Sequence, residues 1–195
     1  MKKEYSVRKE IRLKNYDYSQ NGLYFITICT KDKIPYLCEI KGVPMSVGAD
    51  IIRPIVYKTE TGRIAEESIN QICEHYEDVR VVKYCIMPDH IHLILEIMRD
   101  NIPTDSGRMQ TGAETFISYY NIPTDSGRMI SAPTISVIIG SFKRYVSKNS
   151  GIKIWQRSYY DHIIRNKKEF IEICRYIENN PLNWINNKFN QNEWK

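Results

Sequence analysis

The chain has 195 residues, 42% hydrophobic and 26% charged, which suits one folded domain with a sizeable core and excludes a largely disordered chain. A formal charge of +5 favours a polyanionic partner such as nucleic acid without requiring one. The charged N-terminus MKKEYSVRKE leads into no apolar stretch, and no run approaches the roughly 20 residues that span a bilayer, so neither secretion nor membrane insertion is expected.

Residues 22–30, GLYFITICT, concentrate β-branched and aromatic residues between polar clusters and predict a strand, central in its sheet. Residues 40–60 mix Gly, Pro and short apolar pieces without a period and read as an extended excursion inserted between core elements. From Thr61 the period changes: Ile64, Ala65, Ile69, Ile72, Cys73 and Tyr76 form one stripe of an amphipathic helix. Residues 79–87, VRVVKYCIM, and 90–97, HIHLILEI, predict two strands joined by a tight Pro88-Asp89 turn.

The nonapeptide NIPTDSGRM stands at 101–109 and again, unchanged, at 121–129. Two copies are too few for a solenoid, and their turn-forming composition predicts a loop inserted at about 99–133. Ile135, Ile138, Ile139, Phe142, Tyr145 and Val146 then mark a second helix, and residues 154–165, IWQRSYYDHIIR, a strand. Asn166 and Glu169 form a capping-box-like pair opening a last helix, which Pro181 is expected to stop near Asn180. No glycine-rich phosphate loop is present, and the element order predicts one α+β domain over 1–195, an antiparallel sheet with helices packed on it. Five scattered cysteines without a C-x-x-C pair suggest neither a disulfide framework nor a zinc ribbon and fit a reducing, cytoplasmic setting.

Side chains alternate along a strand, so His90 and His92 share one face, opposite Ile91, Leu93 and Leu95. Two adjacent imidazoles can supply two ligands to a divalent metal, although H-x-H alone fits a pair of surface histidines equally well. Tyr176 and Asn180, four residues apart, share a helix face and could offer a nucleophile and a ligand together. A phenol with an ordinary pKa near about 10 needs a nearby cation or base to attack anything at neutral pH, and most of the 14 tyrosines must be packing residues.

Taken together, YCIMPDHIHLILEI, SVIIGSFKRYVS, IWQRSYYDHIIRN and CRYIENNP resemble, in this order, the HUH motif and downstream elements of REP-associated tyrosine transposases, a branch of the single-tyrosine transposases. The resemblance runs from about Gly22 to Trp184. It implies a ferredoxin-like antiparallel sheet with the histidine pair on a central strand and a catalytic helix laid across it. It also implies a metal-binding pair at His90 and His92, a third metal-side ligand at Asn180 and a nucleophile at Tyr176. The implied activity is cleavage and rejoining of single-stranded DNA beside hairpins through a 5′-phosphotyrosine bond, with Mg2+ or Mn2+ and no nucleotide cofactor, by a monomer or homodimer.

Tyr159 and Tyr160 are competing nucleophiles, and Asp161 and His162 possible supporting residues, but only Tyr176 stands in a Y-I-x-x-N-P context. Lys143, Arg144, Lys148, Arg157 and Arg165 are candidate DNA contacts, each of which could equally be a solvated surface charge. Two other readings compete: a DNA or RNA hairpin-binding module that does not cut, and a phosphodiesterase whose nucleophile is metal-bound water.

Overall fold

Alternation of burial along Gly22–Cys29 (β1), with Tyr24, Ile26 and Ile28 fully buried, marks a strand pressed onto a core by one face. The computed structural model describes residues 18, 20–44, 52–99 and 134–192. The repeated nonapeptide and its expected loop, apart from residue 99, lie outside the described residues.

In chain order the further elements are β2 (Cys38–Pro44), β3 (Ile52–Lys58), α1 (Glu60–Asn70), α2 (Ile72–His75), β4 (Val79–Ile86), β5 (His90–Ile97), α3 (Ile135–Ser150), β6 (Tyr160–Ile164) and α4 (Lys167–Asn192). Four strands form one antiparallel sheet in the order β4-β5-β1-β6, so the histidine strand and β1 are its two central strands. Helices cover both faces, which makes the domain α+β as the element order predicts.

The two faces divide the work. Tyr24, Ile26 and Ile28 of β1 with Ile91, Leu93, Leu95 and Ile97 of β5 build the main core with α1 and α3, through Ala65, Ile69, Ile138, Phe142 and Val146. The opposite face carries a smaller cluster of Ile94, Ile164 and Ile177, joined by Phe25, Phe170 and Ile173, beneath α4. His90 and His92 lie on this second face, as strand parity requires.

Four expectations are corrected. The described part of residues 40–60 is regular rather than without a period: β2 and β3 pair antiparallel in a two-stranded sheet of their own, and Cys38 and Ile40 enter the main core. The inner end of this small sheet is fixed by Thr59, which caps α1 by accepting from Gly62 N at 3.0 Å. A Cβ at Gly62 would lie 1.9 Å from the Leu37 carbonyl oxygen, so only glycine lets the helix approach this closely. The helix read from Thr61 to Tyr76 breaks at Gln71 into α1 and α2. The strand read over 154–165 is confined to β6, with a single bridge from Trp155 to Thr30 before it.

The last helix does not stop at Asn180 either. It runs through Pro181 to Asn192 and packs along β2, β3 and β4. Proline withholds one N–H, here from the Ile177 carbonyl, and disfavours helical geometry before it. Burial of Ile185, 4% exposed and part of the main core, offsets that cost, because the downstream turns are held by packing rather than propensity. At the other end the capping pair forms as read: Asn166 Oδ1 accepts from Glu169 N at 2.9 Å, and Glu169 Oε2 from Arg165 N at 2.7 Å. Among the described residues no helix is long and apolar enough to cross a membrane.

Candidate active site

The centre of the site is a row set by register: His92 of β5 stands opposite Thr27 of β1, and Thr27 in turn opposite Tyr160 of β6. His90 is one pleat away, with its ring centroid 4.6 Å from that of His92. Both rings are anchored through Nδ1. His90 Nδ1 meets Asp89 Oδ1 at 2.5 Å and His92 Nδ1 meets Thr27 Oγ1 at 2.9 Å. The Asp89 carboxylate only accepts, so neutral His90 donates from Nδ1 and carries its lone pair on Nε2, whereas the Thr27 hydroxyl serves either tautomer of His92.

Burial also keeps the rings neutral. His92, 4% exposed, is driven down to about 3 by desolvation, with further depression from His90 and the Lys33 ammonium. His90 is lowered by desolvation as well, although its hydrogen bond and attraction to Asp89 oppose the shift. A neutral imidazole with one unprotonated ring nitrogen is the form that ligates a divalent metal.

Helix α4 completes the site from above. Tyr176, Asn180 and Trp184 follow one another at four-residue steps, so they form one stripe along the histidine pair. The Tyr176 hydroxyl lies 3.3 Å from His92 Nε2, and its ring stands edge-on to Phe25 at 6.1 Å. Asn180, 8% exposed, hydrogen-bonds His90, and the Trp184 ring lies 6.3 Å from that of His90. Tyr176 itself is 47% exposed. At the rim, Lys33 Nζ lies 3.9 Å from Asp89 Oδ2.

The structure brings together His90, His92, Tyr176 and Asn180, and leaves the other candidates apart. Tyr159 is partly buried with its hydroxyl 3.1 Å from Ser136 Oγ at the start of α3. Tyr160 is 52% exposed on the edge strand, in the His92 row but two strands away. Asp161 is buried at the register position of Ile26, on the face away from the site, and His162 Nε2 is engaged by Glu169 Oε1 at 2.6 Å.

The five candidate DNA contacts do not form one patch. Lys143 is turned inward, donating to the carbonyls of Gln156, at 2.9 Å, and Ser158, and burial lowers its ammonium to about 8. Arg144 and Lys148 are exposed on α3, the layer opposite α4, while Arg165 is exposed beside the start of α4. Arg157 is exposed on the segment that bridges to the end of β1.

Asp89, Thr27, Lys33 and Trp184 escaped the sequence reading. Asp89 had a signal in P-D-H, since a carboxylate beside a metal-type histidine fixes its tautomer. Trp184 had one in the four-residue step from Asn180. Thr27 and Lys33 come from strand pairing and turn geometry, which have no local signature.

The sheet thus carries a histidine pair on a central strand, with a tyrosine-bearing helix laid across it. No family model matches the chain. An uncharacterized protein of Haemophilus influenzae is 32% identical over 187 residues, covering 91% of this chain and 89% of its own length, and the chain belongs to the same family as that protein. A second Haemophilus influenzae protein, named "Putative REP-associated tyrosine transposase", is 27% identical over 172 residues, 87% of this chain and 77% of that one. A solved structure of a REP-associated tyrosine transposase bound to a REP hairpin shares the fold, with a TM-score of 0.51 and 16% identity over 84% of this chain and 68% of the other. The resemblance to REP-associated tyrosine transposases read from the motifs therefore holds in sequence and in fold.

Proposed function

We propose that the chain is a metal-dependent single-strand DNA endonuclease and strand transferase that acts beside DNA hairpins with Tyr176 as its nucleophile. The observation that carries this reading is the half-exposed Tyr176 with its hydroxyl 3.3 Å from His92 Nε2, over two buried imidazoles whose pKa values are lowered by burial. The hairpin bound to the fold neighbour supports a DNA hairpin as partner.

The residues present fit a divalent ion: His90 and His92 are adjacent imidazoles with lowered pKa values, Asp89 on Nδ1 leaves the His90 Nε2 lone pair for a ligand bond, and the Asn180 amide beside His90 can add an oxygen donor. Such an ion, magnesium or manganese, would polarise a phosphate oxygen and favour the phenolate. The chain's own part is positional. Phe25 and His92 hold the Tyr176 ring, and α4 carries its oxygen to the open side of the pair. Attack of Tyr176 Oη on the scissile phosphorus forms a P–O bond to tyrosine and breaks the bond to the DNA 3′-oxygen, which takes up a proton. The phenolic proton is lost, the phosphate stays bonded to the 5′ end, and attack by a 3′-hydroxyl reverses the step.

A hairpin-binding module that does not cut is the second reading. It is favoured by one fact: among the described residues no third His, Cys, Asp or Glu joins the pair to make a metal group. Hairpin-bearing single strands labelled at the 3′ end, incubated with the protein and Mn2+, separate the readings on a denaturing gel. Label migrating with the protein supports tyrosine chemistry. A shift on a native gel with no cut product on the denaturing one supports the binder, and free 5′-phosphate product supports hydrolysis by water.

A further inference from the structure

Beside the site, at the far end of β1, lies an open cleft of about 490 Å³ lined by Lys31, Asp32, Lys33, Trp155, Gln156 and Arg157. Its lining holds three cationic side chains and one carboxylate, and an indole, the combination that tracks a sugar-phosphate backbone while offering an aromatic surface to a base. Lys33 links cleft and site, since its ammonium is 3.9 Å from the Asp89 carboxylate that holds His90.

The two walls are stitched together. Thr30 and Trp155 form a bridge, Lys31 N donates to Ile154 O at 2.7 Å and Gln156 N to Cys29 O at 2.9 Å. Lys143 braces the second wall from inside by donating to the Gln156 and Ser158 carbonyls, and Trp155 Nε1 donates back to Lys143 O at 3.1 Å. Among the described residues the non-glycine positions with positive φ are Asp32 (55°), Lys33 (57°) and Ser158 (70°). Two of them line one wall, and the third follows Arg157 on the other. Left-handed backbone at non-glycine residues is unfavourable and persists where surrounding contacts impose it, often at binding sites.

We propose that this cleft binds an unpaired DNA strand leading to Tyr176, with Lys31, Lys33 and Arg157 on successive phosphates. The proposal rests on the DNA reading above and adds the path of the substrate. Because Lys33 touches the site, the test uses Lys31→Gln/Arg157→Gln and each single variant, all at exposed positions. Full-length proteins are titrated by fluorescence anisotropy, with chelator present, against a DNA hairpin carrying an unpaired flank and against the same hairpin cut flush.

The expected result is a several-fold affinity loss for the flanked hairpin only, with the salt dependence of log K shallower by about 1.4 in the double variant and about 0.7 in each single one. Circular dichroism matching wild type assigns the loss to contacts. Equal loss on both hairpins, or no loss on either, overturns the cleft. A wild-type chain that binds neither hairpin overturns the DNA reading itself and the cleft with it.

Discussion

Acid should weaken this fold through His92, and the structure sets the size of the effect. In the unfolded chain the imidazole titrates near 6.5, whereas in the folded protein burial holds it at about 3. The folded state therefore refuses a proton that the unfolded chain accepts, so the contribution is fully present above pH 6.5 and is lost as pH falls toward 3. At pH 5 the loss is about 2 kcal/mol, following a slope of about 1.4 kcal/mol per pH unit. His90 is shifted in the same direction and adds to the wild-type loss, so the His92→Gln variant isolates the His92 share. Urea unfolding of both proteins at pH 7.5, 6 and 5, with chelator present, should show the stability difference between them moving by about 2 kcal/mol against the wild type. Parallel stability profiles would refute the claim that His92 is held neutral by burial.

Two further outcomes follow from the same geometry. Asp89→Asn removes the carboxylate that orients His90 and should weaken Mn2+ binding by about 10- to 100-fold in titration calorimetry; unchanged affinity would separate Asp89 from any metal role. Ile185→Ala should cost about 2–4 kcal/mol in urea unfolding, because Ile185 sits in the main core beyond Pro181, and a loss under 1 kcal/mol would mean that the helix extension is not packed as described.

Much of the architecture was legible because it rests on periods. Strand parity alone placed His90 and His92 on one face, and helical spacing alone put Tyr176 and Asn180 together, and both hold. What local pattern missed depends on contacts distant in sequence. Pro181 reads as a stop, yet α4 continues because Ile185 finds a core to bury in. The β2–β3 pair carries Gly42, Pro44 and Pro54 and shows no clean alternation, so its pairing emerges only from register. Lys143 reads as a surface cation from its place beside the apolar stripe of α3, but its ammonium donates to the Gln156 and Ser158 carbonyls of the chain folded over it. Thr27 enters the site by standing opposite His92, a fact of sheet order that neither residue's neighbours encode.

The identity of the attacking oxygen tests the central claim most directly. Tyr176→Phe keeps the ring against Phe25 and His92 and removes only the hydroxyl, whereas Tyr159 bonds Ser136 and Tyr160 lies on the sheet edge. Each of the three phenylalanine variants is incubated with Mn2+ and a 3′-labelled hairpin-bearing single strand, then resolved on a denaturing gel. The account predicts that label stays covalently attached to Tyr159→Phe and Tyr160→Phe and is absent from Tyr176→Phe, which still binds the hairpin. A labelled protein band that persists in Tyr176→Phe would contradict it.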